Sequence, residues 1–151
     1  MTKNQFIVMI VDDDEPIRRA ARRLIKSYGF PVETFSSAED FLTSGRLNET
    51  ACLVLDVQMP GLNGLELQSR LIAEGHQVSI IFITAFRDEN ARAQALKAGA
   101  LGYLVKPFEE TDLLNAINLA LHRQEIGRNR RAFYISELIS AAPFGNFTWC
   151  N

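Results

Sequence analysis

Short continuous apolar runs recur along this chain, and each gives way to a stretch whose apolar residues return at helical spacing. That alternation constrains the fold more than any other feature. Phe6–Val11, Pro31–Phe35, Ala51–Leu55, Val78–Ile83 and Leu101–Val105 are the strand candidates. Glu15 to Tyr28 places Ile17, Ala20, Ala21, Leu24, Ile25 and Tyr28 on one helical face, and Gly29 is a natural stop. Ser36 or Ser37 can cap a short helix carrying Phe41 and Leu42. Leu65–Ala73, Asp88–Ala98 (stopped by Gly99) and Thr111–Leu121 complete the helical set. Strands that are apolar throughout belong in a parallel sheet covered on both faces, with right-handed crossovers between them. The expected architecture is α/β: a doubly wound five-stranded parallel sheet with five helices.

In such sheets, function gathers outside the carboxyl ends of the strands, near the switch in strand order. The first strand here runs into Asp12-Asp13-Asp14, the third into Asp56, the fourth into Thr84 and the fifth into Lys106-Pro107. Carboxylates crowded together cannot all stay ionised without positive charge among them. A hard cation with oxygen ligands answers that need, and Mg²⁺ takes one or two carboxylates together with phosphate oxygens. A carboxylate in that setting is a competent nucleophile toward phosphorus. Mg²⁺, the Lys106 ammonium and the Thr84 hydroxyl would position the transferred group and stabilise the charge on its oxygens. A purely structural ion-pair network is the competing reading, but it would leave three acids to one base. Asp14 reads instead as a helix-capping or solvated acid.

Four segments carry a family resemblance: Ile10-Val11-Asp12-Asp13, Leu55-Asp56-Val57-Gln58-Met59-Pro60-Gly61, Ile83-Thr84-Ala85 and Lys106-Pro107-Phe108. In order, spacing and strand context they resemble the signature segments of response-regulator receiver domains, over about residues 5–122. The resemblance implies a flavodoxin-like receiver fold with Asp56 as phosphoacceptor. It implies that Asp12, Asp13, Asp56 and the Gln58 backbone carbonyl hold Mg²⁺ (or Mn²⁺). Thr84 and Lys106 would contact the phosphoryl oxygens, and Lys106–Pro107 would be a cis peptide. Thr84 and Tyr103 would form the switch pair, although a half-buried aromatic is also a fair reading of Tyr103. The implied partners are a sensor histidine kinase and a second copy docked through the face of helix four, strand five and helix five. The segment CLVLDVQMPGLNGLELQ is closest in wording to receivers that precede LuxR-type DNA-binding domains.

Two other readings compete. A haloacid-dehalogenase-like phosphatase also forms an aspartyl phosphate, but it needs a second acid two residues after its nucleophile, where Gln58 follows Asp56. Asp12 and Asp14 have that spacing, but Pro16 stands where a Thr or Val is expected. A receiver-like scaffold that takes no phosphate is the other, and the complete set of site residues argues against it. Dinucleotide binding fails because the first strand leads into acids rather than a glycine-rich loop.

Residues 1–121 carry 12 basic and 16 acidic side chains, and residues 122–151 carry 4 and 2, so an acidic body precedes a mildly basic tail. Arg128, Arg130 and Arg131 fall short of the clustered basic face that nucleic acid requires. The expected organisation is a receiver domain over residues 1–122 and a C-terminal extension or truncated linker over 123–151. Phe133, Tyr134, Phe144, Phe147 and Trp149 make that extension too apolar for a purely disordered tail. Arg18, Arg19, Arg22 and Arg23 read as a solvated face of helix one. Two lone cysteines without metal-ligand company suit a reduced, cytoplasmic chain, and no apolar run approaches a membrane span.

Overall fold

The computed structural model describes residues 6–124. The chain divides into a unit spanning Met1–Leu121 and a second spanning His122–Asn151, and the second lies almost wholly outside the described residues. So do the basic cluster and the aromatic residues of the extension.

Five strands form one sheet: β1 (Ile7–Val11), β2 (Val32–Phe35), β3 (Thr50–Asp56), β4 (Ser79–Thr84) and β5 (Gly102–Val105). Their order is β2-β1-β3-β4-β5, and every pairing is parallel. The helices are α1 (Glu15–Ser27), α2 (Ala38–Thr43), α3 (Gly64–Ala73), α4 (Glu89–Lys97) and α5 (residues 110–124), with a 3-10 turn at Leu47–Glu49. The doubly wound α/β expectation is met, strand for strand and helix for helix.

Side chains of a strand point alternately to opposite faces, and this sorts the core into two layers. Met9, Val11, Leu53, Leu55 and Phe82 face α2, α3 and α4, meeting Phe41, Leu67, Leu71 and Ala95. Val8, Ile10, Cys52, Val54, Ile81 and Ile83 face α1 and α5, meeting Ala21, Ile25, Leu113, Ile117 and Ala120. β1, β3 and β4 are buried throughout. β2 and β5 are only half-buried, contrary to the uniform burial that continuous apolar runs suggest. They are the sheet's edges, so each lacks a neighbour on one side. Glu33 of β2 is exposed there and pairs with Arg46 at 3.2 Å.

Helix starts follow local capping chemistry. Asp14 accepts the Ile17 N–H at 3.3 Å at the head of α1, so its capping reading is the observed one. Ser37 accepts the Asp40 N–H ahead of α2. Asn63 and Glu66 form a reciprocal capping box at α3. Asp88 accepts from Asn90 and Ala91 at α4. These caps fix where each helix leaves the carboxyl edge of the sheet, which is where the polar strand-end residues collect.

Candidate functional site

The strand order reverses between β1 and β3, and the two strands end side by side on Asp12 and Asp56. Asp12 is fully buried, Asp56 is 6% exposed, and Asp13 is exposed at the rim. Carboxylate oxygens of the three lie within 4.8 Å of one another. Lys106, at the end of β5, brings Nζ to 3.4 Å from Asp12 Oδ2. The Lys106–Pro107 peptide is cis, and the Lys106 N–H donates to the Thr84 carbonyl at 2.7 Å. Thr84 is buried at the end of β4, and its Oγ1 accepts the Phe86 N–H at 3.2 Å. The Gln58 N–H donates to Asp56 Oδ1 at 3.3 Å, while the Gln58 side chain is exposed.

Electrostatics follow from this crowding. Burial, then the charge of Asp12 and its hydrogen bond, push the Asp56 carboxyl up to about 7, against the lowering effect of Lys106 and the Gln58 N–H. One ammonium does not balance three acids. The donor set therefore fits a hard divalent cation: carboxylate oxygens, close together, with charge in excess.

A model of the response regulator receiver domain matches residues 8–118. This chain belongs to that family. It is similar to the response regulator protein TmoT of Ectopseudomonas mendocina, 42% identical over 121 residues, which are 80% of this chain and 55% of TmoT. It is 36% identical over 126 residues to the transcriptional regulatory protein FixJ of Azorhizobium caulinodans, covering 83% of this chain and 60% of FixJ. The chain thus spans little more than half the length of these curated relatives. Among solved structures it resembles the response regulator StyR, with a TM-score of 0.80 and 42% identity over 93% of this chain and 72% of that one. A structure of FixJ-N matches with a TM-score of 0.69 and 35% identity, covering 80% of this chain and 94% of that one.

The receiver's remaining sequence-named residue is Tyr103 of β5. It pairs with Phe82 across β4 and β5, with ring centroids 6.1 Å apart. Directly paired residues of neighbouring strands share a face, so Tyr103 lies on the same side as Thr84, whose partner is Val105. Burial, with Asp88 and Glu89 nearby, raises the Tyr103 hydroxyl's pKa. The ring lines an open cavity of 460 Å³ together with Arg87, Arg92, Phe108 and Asp112.

Three further residues of the site are not evident from sequence. Arg18 departs from the solvated face expected of the α1 arginines: its Nη1 donates to the Asp12 carbonyl at 2.6 Å. Only its place within the first turn of α1 distinguishes it from Arg19, Arg22 and Arg23. Gly64 is buried against the backbone of Asp56. Glu39 of α2 reaches the β3–α3 loop. Neither contact leaves a local mark in the sequence.

Proposed function

We propose that this receiver domain accepts a phosphoryl group on Asp56 from a sensor histidine kinase and relays the event through its α4–β5–α5 face. The observation that carries the reading is the convergence of Asp12, Asp13 and Asp56 within 4.8 Å, with Lys106 beside them. An Asp56 carboxylate oxygen attacks phosphorus, the bond from phosphorus to the donor breaks, and its electron pair leaves with the donor. Lys106 Nζ and the Thr84 hydroxyl bind the transferred oxygens, and their fixed positions reduce reorganisation. Asp12, Asp13, Asp56 and the Gln58 carbonyl would hold Mg²⁺ or Mn²⁺, which supplies positive charge to the phosphoryl oxygens. Thr84 moves toward the phosphoryl group, and Tyr103, on the same sheet face, follows inward. The altered face then pairs with a second copy.

Residues 1–122 form the receiver in this reading, and 123–151 are an extension or linker. FixJ is named a transcriptional regulatory protein, and a transcriptional output in the cytoplasm suits this chain by similarity. No helix among the described residues is long and apolar enough to cross a membrane.

Intact mass after incubation with a small acyl phosphate tests the reading. Wild type is expected to gain one phosphoryl mass with Mg²⁺ and none without it, and Asp56→Ala is expected to gain none. A folded, metal-bound wild type that stays unmodified even with kinase would sink the assignment.

Phe86 bears on how long the phosphoryl group persists. Phe86 is exposed, and its backbone N–H donates to Thr84 Oγ1; a bulky apolar group at this position would hinder an attacking water. Phe86→Glu is expected to shorten the phosphoryl lifetime severalfold, followed as loss of the modified mass. An unchanged lifetime would remove Phe86 from this role.

A further inference from the structure

The loop of residues 57–63 joins β3 to α3 and carries Gln58. Its ends are fastened by backbone bonds: the Val57 N–H donates to the Ile83 carbonyl at 3.2 Å, and the Gly64 N–H to the Val57 carbonyl at 2.9 Å. Met59 and Leu62 pack into the core layer facing α3. Between those fastenings, the loop's main chain meets one side chain from a more distant element among the described residues. Glu39 of α2 accepts the Leu62 N–H through Oε2 at 2.8 Å, across 23 residues of sequence.

Gly61 completes the contact. Its φ is +75°, a region that favours glycine, and a Cβ there would stand 2.7 Å from Glu39 Oε2. The glycine therefore lets the loop turn and lets the carboxylate come close. The Leu62 N–H holds the Glu39 carboxyl below its ordinary range. α2 is a firm support for this reach: Ser37 caps it, Ala38 and Phe41 are fully buried, and Phe41 meets Phe35 edge-on with centroids 5.5 Å apart. A charged acceptor on a main-chain N–H makes one of the stronger hydrogen bonds available to a surface loop.

We infer that Glu39 is a positioning residue for the Asp56 site: its carboxylate, bound to the Leu62 N–H beside Gly61, fixes the loop that carries Gln58. The inference rests on the reading that the acidic pocket takes a divalent metal. Outer partners of metal ligands commonly change affinity by ten- to a hundredfold when lost. One loop contact belongs near the lower end of that range.

The test uses the full chain, Mn²⁺ as probe metal, and Glu39→Ala beside Glu39→Gln. Both variants remove the charge, but Gln keeps an oxygen that can accept from Leu62. Free Mn²⁺ is followed by paramagnetic resonance, and the Leu62 amide by hydrogen exchange. Circular dichroism checks that both variants fold. Glu39→Ala is expected to weaken Mn²⁺ binding by about tenfold and to speed Leu62 exchange. Glu39→Gln, whose neutral oxygen accepts more weakly, is expected to fall between wild type and Glu39→Ala on both measures. Equal weakening by the two variants would trace the effect to lost charge and overturn the inference. Unchanged Mn²⁺ affinity in Glu39→Ala, with wild type binding normally, would overturn it while leaving the metal reading intact. A wild type that binds no Mn²⁺ would overturn both.

Discussion

Asp56→Asn is expected to make the metal-free protein more stable at pH 8, by on the order of 2 kcal/mol, and to leave its stability at pH 4 nearly unchanged. The wild-type carboxyl is pushed up to about 7, first by burial and then by Asp12, whereas an Asp in the unfolded chain titrates near ~3.9. Between those values the folded protein binds more protons than the unfolded chain, so the free energy of unfolding falls as pH rises. The stability associated with the protonated form is present below the unfolded pKa and is lost as pH passes through about 7. A shift of this size corresponds to an upper bound of ~4 kcal/mol. Solvent at the Asp13 rim screens part of it, which lowers the figure to about 2 kcal/mol. Asn at position 56 cannot ionise and escapes the penalty. Urea melts in the presence of a chelator, at pH 4 and pH 8, measure the difference. Mg²⁺ should narrow the gap at pH 8, because a ligand that binds the folded state stabilises it by mass action. An equal gain at both pH values would show that the benefit of Asn has nothing to do with ionisation. Asp56, the proposed phosphoacceptor, is then a residue that weakens the metal-free fold.

The sheet and the polar residues at its carboxyl edge were legible in sequence for a local reason. Central strands of a parallel sheet are apolar throughout, so β1, β3 and β4 stand out as runs, and each run breaks at a polar residue that the topology then gathers. Edge status was not legible, because it depends on strand order; β2 and β5 differ from the central strands by having one missing neighbour. The supports of the site were hidden for a related reason. Arg18 shares its i,i+4 pattern with three other arginines, and only the approach of α1 to the end of β1 gives it the Asp12 carbonyl. Glu39 sits in the first turn of α2, where an acid is favoured by the helix dipole alone, so a second duty toward Leu62 leaves no trace. A polar group whose partner is 23 residues away is chosen by tertiary packing, and residue type at that position is satisfied equally well by the local explanation.

Gly64→Ala is expected to destabilise the protein by about 2–3 kcal/mol and to reduce phosphoryl acceptance by about a hundredfold. Helix propensity alone argues the opposite sign, since Ala is favoured over Gly by up to ~1 kcal/mol within a helix, and Gly64 is the first residue of α3. Sterics decide the matter. A Cβ at this position would overlap the Asp56 carbonyl oxygen and would stand 3.0 Å from Val57 Cα and 3.1 Å from the Asp56 carbonyl carbon. All three are backbone atoms at the end of a fully buried strand, so no side chain can swing away to make room. Either α3 lifts, breaking the 2.9 Å bond from the Gly64 N–H to the Val57 carbonyl, or Asp56 shifts away from Asp12 and Lys106. The first response costs stability and the second costs geometry at the Asp56 carboxylate. Thermal melts and the phosphoryl mass gain, measured on the same preparation, separate the two. A stabilised variant with full phosphoryl acceptance would mean that α3 moves freely against β3, and that the close approach at Gly64 does not hold Asp56 in place.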